Sequence, residues 1–182
     1  MRCAIRMCVL VSSLTLISSA WAQPEHVFYD KDLGVSLSVP TGWSKDSKQP
    51  IGESVLVNFE RDVSEIVLQS FAINESATKE MQALLSEAGF DLLGYVKLYL
   101  SKTDWVAKSV EEPKKVIIGN KEGVVSLSEE SVLGLMLLKV LDYAFYDSKR
   151  IRVYHLRLYS PEKAFETDKP EFLSVVNSFT IK

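Results

Sequence analysis

Few residues in this sequence could bear chemistry. Two histidines, His26 and His155, are the whole complement, and both cysteines, Cys3 and Cys8, stand within the first eight residues. A zinc site needs three or four Cys, His, Asp or Glu ligands, usually two of them close in sequence, so no metal centre and no cofactor are expected. His26 reads as a surface residue. Serines are abundant, but the Gly-x-Ser-x-Gly elbow that exposes a hydrolase nucleophile is absent, and no complete catalytic set can be named. Gly119 and Gly123 frame a turn without the Gly-Lys-Ser/Thr ending that cradles a nucleotide phosphate. Asn74-Glu75-Ser76 fits the N-glycosylation pattern, which is common by chance.

One constellation remains, and it depends on a hairpin. A two-residue turn at Ser148-Lys149 pairs Asp147 with Arg150, and the same register sets Asp142 opposite His155. Cross-strand neighbours lie about 5 Å apart at Cβ, within reach of a carboxylate–imidazole hydrogen bond. Arg157, Val140, Ala144, Val153 and Ile151 share that face, whereas Leu141, Tyr143, Phe145, Tyr154, Leu156 and Leu158 make the other face core. His155, Asp142 and Arg157 are therefore the candidate ligand-binding residues, and a structural His–Asp pair beneath a helix is the simpler reading. Close contact with the carboxylate is expected to raise the imidazole pKa above its usual value.

The elements that must position this cluster follow from periodicity and turn chemistry. Strands are predicted at 26–30 and 35–39 around Lys31-Asp32-Leu33-Gly34, and at 54–61 and 65–73 around Asp62–Ser64. Ala77 to Ala88 is rich in helix formers, with Gly89 placed to stop it. A second helix is predicted from Asp91, with Leu92, Tyr95, Val96 and Tyr99 on one buried face. Strands at 106–110 and 114–118 flank Pro113, a turn spans Gly119–Gly123, and a strand returns over 123–128. The strand pair of the candidate site covers 135–146 and 150–159, and a closing helix is capped by Asp168 with Pro170 in its first turn.

The chain begins with Arg2 and Arg6, an apolar run from Cys8 to Ile17, and Ala20-Trp21-Ala22, the three parts of a secretory signal peptide in order. Cleavage is expected after Ala22, because ten apolar residues are half the roughly twenty a spanning helix needs. No cysteine follows the apolar run, so lipid anchoring is not expected, and residues 23–182 form one cysteine-free domain. The leader also removes two positive charges, taking the formal charge from −3 to −5. That balance argues against nucleic acid or an anionic membrane as the principal partner. The expected location is periplasmic or secreted, without stable membrane insertion after cleavage.

Val35-Ser36-Leu37-Ser38-Val39-Pro40-Thr41-Gly42-Trp43 resembles the opening of PsbP-like domains, in which a strand ends in Pro, Gly and Trp. Phe172-Leu173-Ser174-Val175-Val176-Asn177-Ser178-Phe179 is similar to the closing helix of that family, which ends in Ser-Phe before a last short strand. The resemblance covers nearly the whole domain and implies an α+β fold of the Mog/PsbP type, a central antiparallel β-sheet flanked by helices on both faces. Its motifs carry no chemistry; Trp43 is expected to plug the sheet edge. The function implied is that of an exported, non-enzymatic accessory or binding protein, its partner another envelope or exported protein. The alternative is an envelope hydrolase using His155 and Asp142 with an unidentified nucleophile. A deep pocket beside His155 would favour the hydrolase; a smooth surface with an exposed apolar patch would favour a protein partner.

Overall fold

The computed structural model describes residues 24–46, 54–73, 79–86, 89–103, 107–132 and 134–182. The leader, the Asn74-Glu75-Ser76 pattern and both ends of the helix expected at 77–88 lie outside the described residues. Strands β1 (Pro24–Asp30) and β2 (Val35–Pro40) form the expected hairpin. Asp30 Oδ1 accepts the Asp32 and Leu33 amide N–H groups at 2.9 Å each, and Gly34 takes the positive φ of 61° that closes the turn. After β3 (Ser44–Lys45) come β4 (Val55–Arg61) and β5 (Ser64–Ala72), paired antiparallel around Asp62 and Val63.

Where one helix is expected at 77–88, the described residues hold a single turn, α1 (Lys79–Gln82), and a two-strand bridge, β6 (Leu85–Ser86) with β7 (Gly89–Phe90). Gly89 has a φ of 117° within that bridge, so its conformational freedom serves a reversal of the chain and not a helix stop. Helix α2 (Leu92–Thr103) begins where expected, and Asp91 Oδ1 caps it by accepting the Gly94 N–H at 3.0 Å.

The segments on either side of Pro113 form one edge strand, β8 (Ala107–Ile118), whose register slips between Ser109 and Lys114. An edge can absorb the donor that proline lacks. Ile118 pairs with Lys121, so the turn is only Gly119-Asn120 and Gly123 lies inside β9 (Lys121–Val132). A Cβ on Gly123 would stand 2.9 Å from the Ala144 carbonyl oxygen; that glycine is there for close approach, not for a turn.

Strands β10 (Met136–Asp147) and β11 (Arg152–Pro161) form the central hairpin. Their loop has four residues, not two: Asp147 pairs with Arg152, Asp142 with Arg157, and Ala144 with His155. Asp147 Oδ1 accepts the Lys149 N–H at 2.9 Å, and Ile151 holds a φ of 52° that β-branched residues seldom adopt. The register differs from the expected one by two residues, an even number, so the side chains within the strands keep their faces, while Ile151, expected on the His155 face, falls in the loop. Helix α3 (Glu162–Ser178) starts six residues before Asp168 and carries Pro170 in its interior; β12 (Thr180–Ile181) follows.

Seven strands make one antiparallel sheet in the order β3-β4-β5-β11-β10-β9-β8, and β1-β2-β12 make a second. Against the large sheet, α3 and the small sheet enclose the main core of Trp43, Phe59, Tyr154, Leu156, Phe172 and Phe179. On the opposite face α2 lies over β8, β9 and β10, packing Tyr95 and Val96 against Val124, Ala144 and Val153. The domain is thus an antiparallel sheet with few helices, richer in strand than the expected helix-flanked sandwich, because a second sheet supplies much of one layer.

Candidate functional site

Strand alternation puts Asp142, His155 and Arg157 on the α2 face, and all three are buried, His155 at 0 % exposure. His155 Nδ1 is 2.8 Å from Asp142 Oδ2, although Asp142 sits directly opposite Arg157 and only diagonally from the histidine. Arg157 Nε donates to the same Asp142 oxygen at 3.1 Å. Helix α2 closes the cluster with two tyrosines one turn apart. The Tyr95 hydroxyl is 3.2 Å from His155 Nε2, and Arg157 Nη1 donates to the Tyr99 hydroxyl at 3.1 Å while its guanidinium lies 4.8 Å from that ring's centroid. Phe71 of β5 meets the imidazole edge-on at 5.6 Å.

Electrostatics fix the protonation states. Burial alone would raise the Asp142 carboxyl, but Arg157 and His155 beside it hold it below the usual carboxylate range. Burial pushes the His155 imidazole down; Asp142 opposes this and Arg157 reinforces it, and the net shift is below the usual value. The expected rise is therefore overturned: a fully desolvated ring beside a guanidinium has its carboxylate already neutralised. His155 Nδ1 thus faces both the ionised Asp142 carboxylate at 2.8 Å and the Arg157 Nη2 donor at 3.1 Å, and Nε2 faces the Tyr95 hydroxyl. Burial, followed by Asp142, raises the Tyr95 hydroxyl well above its usual range, which keeps it a donor.

The cluster is roofed, not open. Above it, between α1, α2 and β5, a cavity of about 240 Å³ is lined by Phe71, Met81, Tyr95, Leu98, Tyr99 and Lys102, with Thr103 at its edge. Three of those rings, from Phe71, Tyr95 and Tyr99, are the ones that touch His155. Sequence reasoning had Tyr95 and Tyr99 only as members of a buried helix face; their spacing of four, matched to a His and an Arg two apart on a strand, was the available signal.

A second buried network was missed altogether. Asp168, 3 % exposed, accepts from Ser64 Oγ at 2.6 Å, Ser160 Oγ at 2.7 Å and Arg61 Nη2 at 2.6 Å. Burial would raise this carboxyl, but its donors hold it below the usual range. Glu171 accepts from Arg61 and from Trp43 Nε1, the latter at 2.7 Å. Trp43 is buried in the main core with Arg61 over its ring, anchoring the corner after β2 to α3. His26 is half-buried and tilted 6.2 Å from Phe59, remote in the fold from His155. No group of three or more His, Cys, Asp or Glu suited to a metal occurs among the described residues. No helix among them is long and apolar enough to cross a membrane.

No protein-family model matches the sequence, and neither does any curated protein. Solved structures do match. A cyanobacterial PsbP from Synechocystis superposes with a TM-score of 0.57 at 13 % identity, over 86 % of this chain and 92 % of that one. The Ran-binding protein Mog1p of Saccharomyces cerevisiae gives 0.53 at 9 % identity, over 86 % and 94 %. LpqN of Mycobacterium tuberculosis, described as involved in cell envelope biogenesis, gives 0.53 at 13 % identity, over 86 % and 90 %. Together with the Pro40–Trp43 corner and the closing Ser178-Phe179 of α3, these superpositions establish that the chain has the PsbP-like fold of the Mog/PsbP type.

Proposed function

We propose that this chain is an exported accessory protein that binds a protein partner through the apolar cavity beside α2, and that His155, Asp142 and Arg157 are positioning residues beneath it. The observation that carries this reading is the layering: an aromatic cavity floor of Phe71, Tyr95 and Tyr99 resting on a buried, cross-bonded cluster. A volume of about 240 Å³ falls below the roughly 300–1,000 Å³ of ordinary small-molecule sites and suits one apolar side chain of a partner. Anchor side chains entering well-packed pockets dominate protein interfaces. That Mog1p is a Ran-binding protein supports a binding role in this fold, and that LpqN is involved in cell envelope biogenesis is compatible with an envelope setting.

The hydrolase reading needs an imidazole and a nucleophile that a substrate can reach, whereas His155 is 0 % and Tyr95 3 % exposed. Here Nδ1 faces Asp142 and Nε2 faces Tyr95. Side-chain analogues test the cavity directly. Toluene or indole titrated into methyl-labelled protein is expected to shift the Met81 and Leu98 methyl resonances, and Leu98→Asp to abolish the shift at Met81. No shift at either methyl would contradict the site.

A further inference from the structure

The chain between Ser131 and Leu138 carries no charged residue. Leu135 is strongly exposed at 88 %, Leu137 is half exposed at 49 %, and Val132 and Met136 are partly exposed at 39 % and 38 %. All sit at the tip of the β9–β10 hairpin, at the end of the sheet away from the Asp147 loop. The last rungs shared with neighbouring described strands are Ala107 with Glu130 and Leu138 with Pro161. Beyond them the β9–β10 pairing continues through Ser131 with Leu137 and Val132 with Met136, with no further described strand beside it, and the Leu135 N–H donates to the Val132 carbonyl at 3.0 Å.

From this geometry we infer that the β9–β10 tip is a membrane-docking finger that inserts into the interfacial layer of a lipid bilayer. Two rungs and a turn at about 3.4 Å per residue project roughly 10 Å, comparable to the 5–10 Å that interfacial segments sink below the headgroups. The apolar side chains stand on both faces of the hairpin, since Val132 and Met136 face the α2 side and Leu137 the α3 side. A flat protein partner would cover one face and leave the other wet; lipid surrounds both. Four residues are also far fewer than the roughly 20–30 a side of a stable protein interface. The two cross-strand rungs and the Leu135–Val132 hydrogen bond pair backbone groups of the described tip residues, as insertion demands. Among the described residues no basic cluster accompanies the tip: Lys139 is paired with Glu162, and Lys108 sits across from Glu129. The attraction is therefore apolar and indifferent to headgroup charge, in keeping with a chain that is net acidic.

This inference is independent of the cavity beside α2, and its test separates the two. Protein purified from residue 23 onward, which holds every described element, is floated with phosphatidylcholine vesicles and with vesicles containing phosphatidylglycerol. Comparable flotation with both, unchanged by 0.5 M salt and reduced at least tenfold in the double variant L135E/L137E, is the expected result. The thermal midpoint of that variant should match the parent, because both side chains are exposed. A Leu135→Trp variant should be quenched by lipids brominated near the headgroup end of the acyl chain. Absence of flotation, flotation confined to anionic vesicles and lost in salt, flotation that survives the double variant, or a dimer that L135E/L137E dissolves would each overturn it.

Discussion

At His155 the balance between burial and a carboxylate decides how the fold responds to acid. The folded pKa lies below the unfolded value of about 6.5, so above that pH both states hold a neutral ring. As pH falls below about 6.5 the unfolded chain takes up a proton that the folded one refuses, and stability declines until the folded pKa is passed. Asp142, with a depressed folded pKa, contributes stability above about 3.9 that is lost as pH falls further. Urea midpoints near pH 7.5 and pH 5.5 should therefore differ in the parent and converge in His155→Gln; an unchanged gap would mean that another group sets it. Asp142→Asn should cost more, about 3–5 kcal/mol, because it strands the buried Arg157 charge. The pairing of these residues was legible in the sequence despite a wrong turn length, since an even slip keeps parity. The direction of the histidine shift was not, because it needs the cover from α2 and the diagonal placement that brings Arg157 onto the same carboxylate oxygen.

At the scale of elements, two helices are fastened to the sheet by different chemistry. Helix α2 is held by hydroxyls over a charged floor, so Tyr95→Phe should cost about 1 kcal/mol and speed amide hydrogen exchange in α2 while leaving α3 unchanged. Helix α3 is held by Asp168, whose loss removes the shortest hydrogen bond of two buried serine hydroxyls and leaves them only longer contacts of 3.3 Å. Asp168→Ala is therefore expected to destabilise by roughly 2–3 kcal/mol, more than Glu171→Ala, whose carboxylate is 34 % exposed. Denaturation of both variants checks the order, and equal costs would contradict it. The α3 start escaped sequence reasoning because Pro170 and Asp168 look like a first turn, and nothing local shows that Ser64 and Ser160 await that carboxylate. The bridge at Leu85–Phe90 escaped it for the complementary reason: good helix formers there yield to tertiary pairing. The strands were legible, as their alternation survives whatever packs on them.

For the whole molecule, the sequence supplied the fold type through the Pro40–Trp43 corner and the closing of α3, but not the second small sheet, whose partners β2 and β12 are more than 130 residues apart and whose last strand has two residues. The leader is tested by intact mass of the exported protein, which should begin at Gln23; retention of Met1 would contradict export with cleavage. Chelator treatment is expected to leave the thermal midpoint unchanged, and a fall reversed by zinc would reveal a site. Capture of a protein partner by the cavity beside α2 is tested most directly in producing cells. A photo-crosslinking residue at Thr103, on the cavity edge, and another at Ile117, 75 % exposed on β8, compare that place with a remote one in producing cells. A protein adduct is expected from Thr103 and is lost with Leu98→Asp. Equal adducts from the two positions, or none from Thr103, would contradict it.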